Sequence, residues 1–344
     1  MKALNMVSYP LVQSSNARIP SCLPAGLVAV FVGATSGIGE YTLKAFAKHA
    51  VYPRAYFVGR SRKAGARIEA ECKVLNPEGD FTFIQSELSE LKKVDDVCRR
   101  LKEELTVVDL LWLSQGVFSV IKTTDEDLPY AIALAYYGRY RFAQNLLPLI
   151  QKSSSLRRVV SCLAGGKDGP INTEDLDLKL ARSPLKARGH LVSMITFSLE
   201  QLAKQAPDVS FVHNFPGPVR TNIARDNTAI NIVVRSLSFF MGPFVYMAEA
   251  ECGERHLFLC TSARYAAKNQ TGVTCVALEK GVEVARGSDG QIGSGVYLPD
   301  QYGESAPASC EAILKEMREN GVKDRVWKHA EEQLVRILGS ANAI

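Results

Sequence analysis

From Gly26 onward, short apolar runs alternate with stretches in which apolar residues return every three or four positions. The run at 27–33 (LVAVFVG) predicts a strand buried on both faces, and 37–49 reads as a helix. The pair then repeats. A second strand is expected at 54–59 (RAYFVG), followed by a polar helix from about Ser61, and a third strand at 81–85. Val94, Val97, Cys98, Leu101 and Leu105 fall at i, i+3, i+4, i+7 and i+11, which is one apolar face of a helix. Further strands are predicted at 109–113, 158–162 and 209–213, with a long helix between the first two of these ending near Leu149. Strand–helix alternation with near-continuous apolar strands predicts an α/β fold: a doubly wound parallel sheet of Rossmann type, covered on both faces.

Composition narrows the class. The 344 residues are 47% hydrophobic and 22% charged, enough apolar material for a sizeable core. The formal charge is +5, spread along the chain without a basic block or zinc-finger spacing, which argues against a nucleic-acid partner. Eight cysteines form no C-x-x-C pair and no metal-ligand spacing, so no metal site is expected, and several lie in apolar stretches. A reduced, cytoplasmic protein is the expectation. Residues 1–26 are broken by Pro10, Pro20 and Pro24 and do not read as a signal peptide. No stretch has the roughly 18–20 apolar residues of a membrane span. The apolar segment 230–247, interrupted by Arg235, Gly242 and Pro243, reads as a lid or a contact helix, with a membrane-surface helix as the alternative.

Chemistry enters at the first strand–helix junction. Gly33, Ala34, Thr35, Ser36, Gly37, Ile38 and Gly39 give the spacing G-x-x-x-G-x-G. A phosphate needs backbone N–H groups and the positive end of a helix, and glycines allow the close approach. Thr35 and Ser36 add hydroxyl donors. The second strand ends in Gly59, Arg60, Ser61 and Arg62. An acidic residue there would bond the ribose hydroxyl of NAD; two guanidiniums suit a 2′-phosphate, so NADP(H) is the expected cofactor. The alternative is that both arginines are merely solvated.

With these motifs in hand, the chain resembles the short-chain dehydrogenase/reductase superfamily over about residues 27–222. Gly33, Gly37 and Gly39 match its glycine motif. Glu87-Leu88 stands for its acidic–hydrophobic pair at the adenine, with Glu for the usual Asp. Its Asn-Asn-Ala-Gly is matched only as Leu113-Ser114-Gln115-Gly116, and its nicotinamide turn as Pro216-Gly217 with Val219 and Thr221. A weaker likeness at 252–259 and 295–298 suggests the family's last helix and strand. The implied organisation is an N-terminal extension (1–26), an NADP-binding core (27–222), and a lid with a C-terminal helical extension of the same single domain (223–344). The pattern is similar to short-chain dehydrogenase-like proteins of filamentous fungi, some of which act in secondary metabolism. Homodimers or tetramers are common in the family.

The family's catalytic Asn-Ser-Tyr-Lys set is not matched. Anchoring on 189–203 puts His190 at the Tyr position and Met194 at the Lys position. No Tyr in the chain is followed by Lys at i+4. The Ser position falls at about Leu163 or Ala164, with Ser161 earlier on the strand, and the Asn position at Ala135. His190 is then a candidate proton donor or acceptor, since imidazole titrates near neutrality; the other reading is a structural histidine. Tyr137 and Arg141 are spaced to share a helix face, where the arginine would lower the phenol's pKa; packing or pocket lining is the plainer reading. His213 reads as packing, and Glu251, Glu254 and His256 as surface or hydrogen-bonding groups. Three functions follow: an NADP(H)-dependent oxidoreductase for an apolar small-molecule carbonyl or alcohol; a non-redox isomerase, cyclase or dehydratase on that scaffold; or a non-catalytic NADP-binding protein.

Overall fold

The computed structural model describes residues 7–117, 123–180, 184–219, 246–270 and 274–344. Its centre is a seven-stranded, all-parallel sheet of order β3-β2-β1-β4-β5-β6-β7. The strands are β1 (Val28–Val32), β2 (Arg54–Gly59), β3 (Asp80–Gln85), β4 (Leu110–Leu113), β5 (Arg158–Cys162), β6 (Ser210–Asn214) and β7 (Val296–Tyr297). Period-two alternation divides each central strand between two core layers. Val28, Val30 and Val32 of β1, with Leu111 and Leu113 of β4, face one layer. Ala29 and Phe31, with Leu110 and Trp112, face the other. This is why those strands read as unbroken apolar runs.

The first layer is covered by α5 (Leu91–Glu104), α7 (Gly138–Gln151), α8 (Pro184–Gln205) and α11 (Val322–Leu338). The expected face of α5 is found: Leu91, Val94, Val97, Cys98 and Leu101 are buried. The second layer is covered by α3 (Gly37–His49), α4 (Arg62–Leu75) and α9 (Glu249–Thr261). A short turn, α6 (Tyr130–Ile132), and a π-helical turn at Ala133–Tyr137 lead into α7. α10 (Ala308–Glu319) precedes α11.

The N-terminal residues depart from the expected broken extension. They form α1 (Tyr9–Ala17) and α2 (Ile19–Cys22), and Val7, Val12, Ile19 and Leu23 enter the second core layer. Pro10 and Pro20 each lie in the first turn of their helix, where a missing N–H breaks no intrahelical bond. Asn16 Nδ2 donates to Glu254 Oε2 at 2.7 Å, and Glu254 also holds Lys48 at 3.0 Å and His49 at 2.8 Å. Glu254 is therefore a buried junction between α1, α3 and α9, and His256 is buried against Asn214 of β6, so neither is a surface group.

The chain's other end is tied down by a buried ion pair. Arg141 Nε and Nη2 donate to the two oxygens of Asp95 at 2.7 and 2.8 Å, and Nη1 donates to Asn342 O at 2.7 Å. Arg141 is only 1% exposed. Arg141→Ala leaves Asp95 as a buried, uncompensated carboxylate and is expected to lower unfolding free energy by about 3–5 kcal/mol in urea. A loss below about 1 kcal/mol would show that water enters readily, as it does for exposed pairs.

Two histidines are built in as neutral groups. His256 Nδ1 donates to Cys252 O at 2.7 Å and Nε2 accepts from Asn214 Nδ2 at 3.1 Å. His213 Nδ1 donates to Thr196 Oγ1 at 3.1 Å, whose own hydroxyl goes to Asp168. Burial pushes His256 down to about 4 and His213 to about 3, the latter helped by the Arg139 charge. The unfolded chain binds these protons first, near pH 6.5, so stability falls as pH drops from there toward 4, by roughly 1.4 kcal/mol for each histidine over each full pH step. Glu254, held down to about 2 despite its burial by bonds from His49, Asn16 and Lys48, adds a loss only below its ordinary value near 4.5. Tm should fall by several degrees between pH 7 and 4.5; an unchanged Tm contradicts the neutral-histidine assignment.

Candidate functional site

The carboxyl ends of β1 and β4 form the switch point of the sheet, since β2 and β3 continue to one side and β5 to β7 to the other. The loop leaving β1 meets the loop leaving β4 backbone to backbone. Gly33 has φ +81°, and a Cβ there would lie 2.5 Å from the Gln115 amide nitrogen. A Cβ on Gly39 would lie 2.6 Å from Ser114 Oγ and 2.7 Å from Gly33 O. Ser114 Oγ itself lies 3.2 Å from Val32 O and 3.3 Å from Gly33 O, and accepts from Trp112 Nε1 at 3.0 Å. Gly37, the first residue of α3, has φ +61°. A side chain at Gly59 would meet Thr35 at 2.4 Å, so the β1 and β2 ends are also in contact.

This arrangement delivers the first turn of α3 to an open edge with glycines on either side. Ser36 precedes it in extended backbone, and Ile38 packs its side chain on the second core layer. Glu40 in that turn would repel an anion, but Lys44 at 2.6 Å and Arg67 at 2.8 and 2.9 Å hold its carboxylate, and these bonds outweigh burial to keep it below its ordinary pKa. The residues present thus fit a dinucleotide pyrophosphate: glycine where side chains are excluded, a helix end, and a local acid already neutralised.

At the ends of β2 and β3 the structure brings Arg60, Glu87 and Tyr130 together. Arg60 Nη1 donates to Tyr130 Oη at 3.0 Å and lies 3.4 Å from Glu87 Oε2. Arg60 is half exposed, and Arg62 Nε reaches Gln85 Oε1 at 3.4 Å. Leu88 places its side chain in the core, so it offers the cleft only backbone. Gly116 follows β4. Pro216 and Gly217 follow β6, where Gly217 has φ +71° and sits against Gln301, 2.9 Å from where its Cβ would be. Val219 pairs with Met247, whose N–H donates to Pro218 O at 3.1 Å. Thr221 lies outside the described residues, as does the segment 230–247 except for Tyr246 and Met247.

His190 and Tyr137 are both buried but differently engaged. His190, 3% exposed on α8, accepts at Nδ1 from the Asn172 N–H at 3.3 Å. With Nδ1 accepting, the proton belongs on Nε2, which has no partner among the described residues. Burial pushes its pKa down to about 4. Tyr137 donates to Asp177 Oδ1 at 2.6 Å, and Asp177 also meets His329 of α11 at 2.9 Å. Burial and then the Asp177 charge raise the Tyr137 phenol well above its ordinary pKa. Arg141, spaced to lower it, bonds Asp95 instead. Met194 is fully buried in the first core layer, and Ala135 and Ala164 are buried too.

Sequence reasoning missed Arg139. The second residue of α7 is 3% exposed and sits under the ends of β4 and β5. Its Nε and Nη2 donate to Gln115 O at 3.0 and 2.6 Å; Nη1 donates to Ser161 Oγ at 3.0 Å and Cys162 O at 2.9 Å. Burial lowers its pKa to about 10, so it is charged at neutral pH. The one available signal was an arginine inside the apolar helical stretch 132–150, one turn after Ala135.

Comparison with known proteins agrees with this geometry. The family model described as short chain dehydrogenase matches residues 27–170. An oxidoreductase of Emericella nidulans is 41% identical over 334 residues, covering 95% of this chain and 97% of the relative. Oxidoreductase andH of Emericella variicolor is 33% identical, covering 92% and 93%. Among solved structures, L-sorbose reductase of Gluconobacter frateurii, complexed with NADPH and L-sorbose, has a TM-score of 0.51 at 16% identity, over 70% of this chain and 91% of that one, a likeness of fold. Among the described residues no helix is long and apolar enough to cross a membrane. Near-full-length relatives at this identity, and a family match over the crossovers that build the cleft, place the chain in the short-chain dehydrogenase/reductase family of oxidoreductases.

Proposed function

We propose that this oxidoreductase uses NADP(H) and acts on an apolar small-molecule carbonyl or alcohol, in fungal secondary metabolism. The observation that carries the cofactor reading is the pairing of a glycine-lined mouth with Arg60 and Arg62 at the end of β2. Gly33, Thr35, Ser36, Gly37, Ile38 and Gly39 would hold the pyrophosphate, mainly by backbone. Arg60 and Arg62 would take the 2′-phosphate, with Arg60 leaving its long contact to Glu87, which is then free to face the adenine beside Leu88. Gly116, Pro216, Gly217, Val219 and Thr221 would border the nicotinamide half. The coenzyme supplies the hydride, and the chain supplies position and proton control. The apolar segment 230–247 supports an apolar substrate.

Within this reading His190 is the group that meets the substrate oxygen. A neutral imidazole with its proton on Nε2 donates a hydrogen bond without needing a lysine beside it. Tyr137 is assigned to packing, because its hydroxyl proton is committed to Asp177. A second reading, non-redox chemistry on the same scaffold, is favoured by one observation: the position expected for the lysine is a buried methionine.

Calorimetry should find NADPH bound more tightly than NADH, with Arg60→Ala and Arg62→Ala each weakening NADPH by about tenfold, in line with the loss of a charge-assisted bond, and NADH little. Equal losses for both nucleotides refute the 2′-phosphate assignment. His190→Phe should lower turnover at least about tenfold while leaving the NADPH Kd unchanged. Substrate conversion with no change in NADPH absorbance supports the non-redox reading instead.

A further inference from the structure

Among the described residues, Arg139 is a cation buried without an anion. Its four bonds all go to neutral oxygens, those of Gln115, Ser161 and Cys162, and no carboxylate among the described residues acts on it. Burying an unpaired charge is strongly unfavourable. The other buried guanidiniums among the described residues are compensated, as two of them show. Arg141 has Asp95. Arg158, at the opposite end of β5, donates to Leu259 O and Ser262 O at the carboxyl end of α9, where the helix dipole is negative. Arg139 has neither kind of compensation. Three neutral acceptors would satisfy a polar uncharged side chain, so hydrogen bonding alone does not explain a full positive charge here.

Its place gives that charge a use. The guanidinium ties the carboxyl ends of β4 and β5 from below, and a Cβ on Gly116 would lie 3.5 Å from Nη2. A dinucleotide seated at the β1/β4 switch point brings its second half to these strand ends. That half carries the part of the coenzyme whose charge changes: the nicotinamide ring is cationic when oxidised and neutral when reduced. We propose that Arg139 is a fixed charge that makes the site bind the reduced coenzyme in preference to the oxidised one, so that the enzyme loads NADPH, discharges NADP+ and runs as a reductase. The inference rests on the coenzyme reading given above and adds a direction to it. Arg139 acts here as a positioning and electrostatic residue, because four of its five N–H donors are spent on Gln115, Ser161 and Cys162. During hydride transfer the ring gains positive charge as the substrate oxygen gains negative charge, so Arg139 biases loading more than the transfer itself.

The test is the ratio of NADP+ to NADPH dissociation constants, measured by calorimetry on the full chain. A unit charge acting across several ångströms of protein changes relative affinity by about tenfold or more. The wild type should therefore favour NADPH by at least about that factor, Arg139→Lys should keep the preference, and Arg139→Gln should reduce it to within about twofold. Ser161→Asp provides an independent arm, since it sets a counter-charge against Nη1 while leaving the arginine in place; it too should collapse the ratio, even if Arg139→Gln does not fold. A merely structural clamp would change Tm and both affinities alike, leaving the ratio fixed, and that result overturns the inference. So does a wild type that binds both nucleotides equally. Binding without preference sinks only the role of Arg139, whereas no binding of either nucleotide sinks the coenzyme reading along with it.

Discussion

Two loops cross the carboxyl edge of the sheet at a separation that admits no side chain. Gly33 lies against the Gln115 backbone, and Gly39 against Ser114 and Gly33 itself. Three consequences follow from that contact. The chain must turn through a left-handed conformation at Gly33, which glycine adopts without strain. α3 must start immediately beyond, with its first-turn N–H groups turned to the open edge. And β1 must pair with β4 rather than with a later strand, which creates the crevice at the point where the strand order reverses. Ser114 adds a local tie, its hydroxyl bridging the ends of β1 and β4 with the Trp112 indole behind it.

The rest of the molecule supports this edge from both sides. On one face α1 and α2 lie with α9 and meet α3 through Glu254, so the N-terminal residues are part of the core that backs the glycine loop. On the other, α11 and the last residues lie over α5, α7 and α8, with Arg141 joining Asp95 to the chain's carboxyl end. Other buried polar groups in these layers have a partner for their charge or their proton: His213 and His256 are bonded as neutral rings, Tyr137 donates its hydroxyl to Asp177, and Arg141 pairs with Asp95. Arg139 stands out against this background because its charge is retained at the cleft floor with no counter-ion among the described residues.

Much of the fold was legible because buried parallel strands leave no doubt about their pattern. The strands at 54–59 and 158–162 and the helix at 37–49 have the expected bounds, and the others differ by a residue or two at their ends. The N-terminal helices were not legible, since Pro10 and Pro20 look like breakers unless one knows that each opens a helix. The glycine loop could be read because its chemistry is local. Side-chain partners could not, because they are set by packing between distant segments. Tyr137 and Arg141 have the spacing of a helical pair, yet one turns to Asp177 and the other to Asp95. Leu88 sits in a recognisable motif but spends its side chain in the core. Arg139 belongs to no motif, and only the three-dimensional meeting of Gln115, Ser161 and Cys162 reveals where its charge lies.

A crystal structure of the full chain grown with NADPH would show whether this edge holds the coenzyme. The pyrophosphate should lie against the first turn of α3, between Gly33 and Gly39, with the 2′-phosphate between Arg60 and Arg62 and the nicotinamide half reaching the ends of β4 and β5. A nucleotide found elsewhere, or one whose phosphates avoid the mouth between β1 and β4, would contradict this placement.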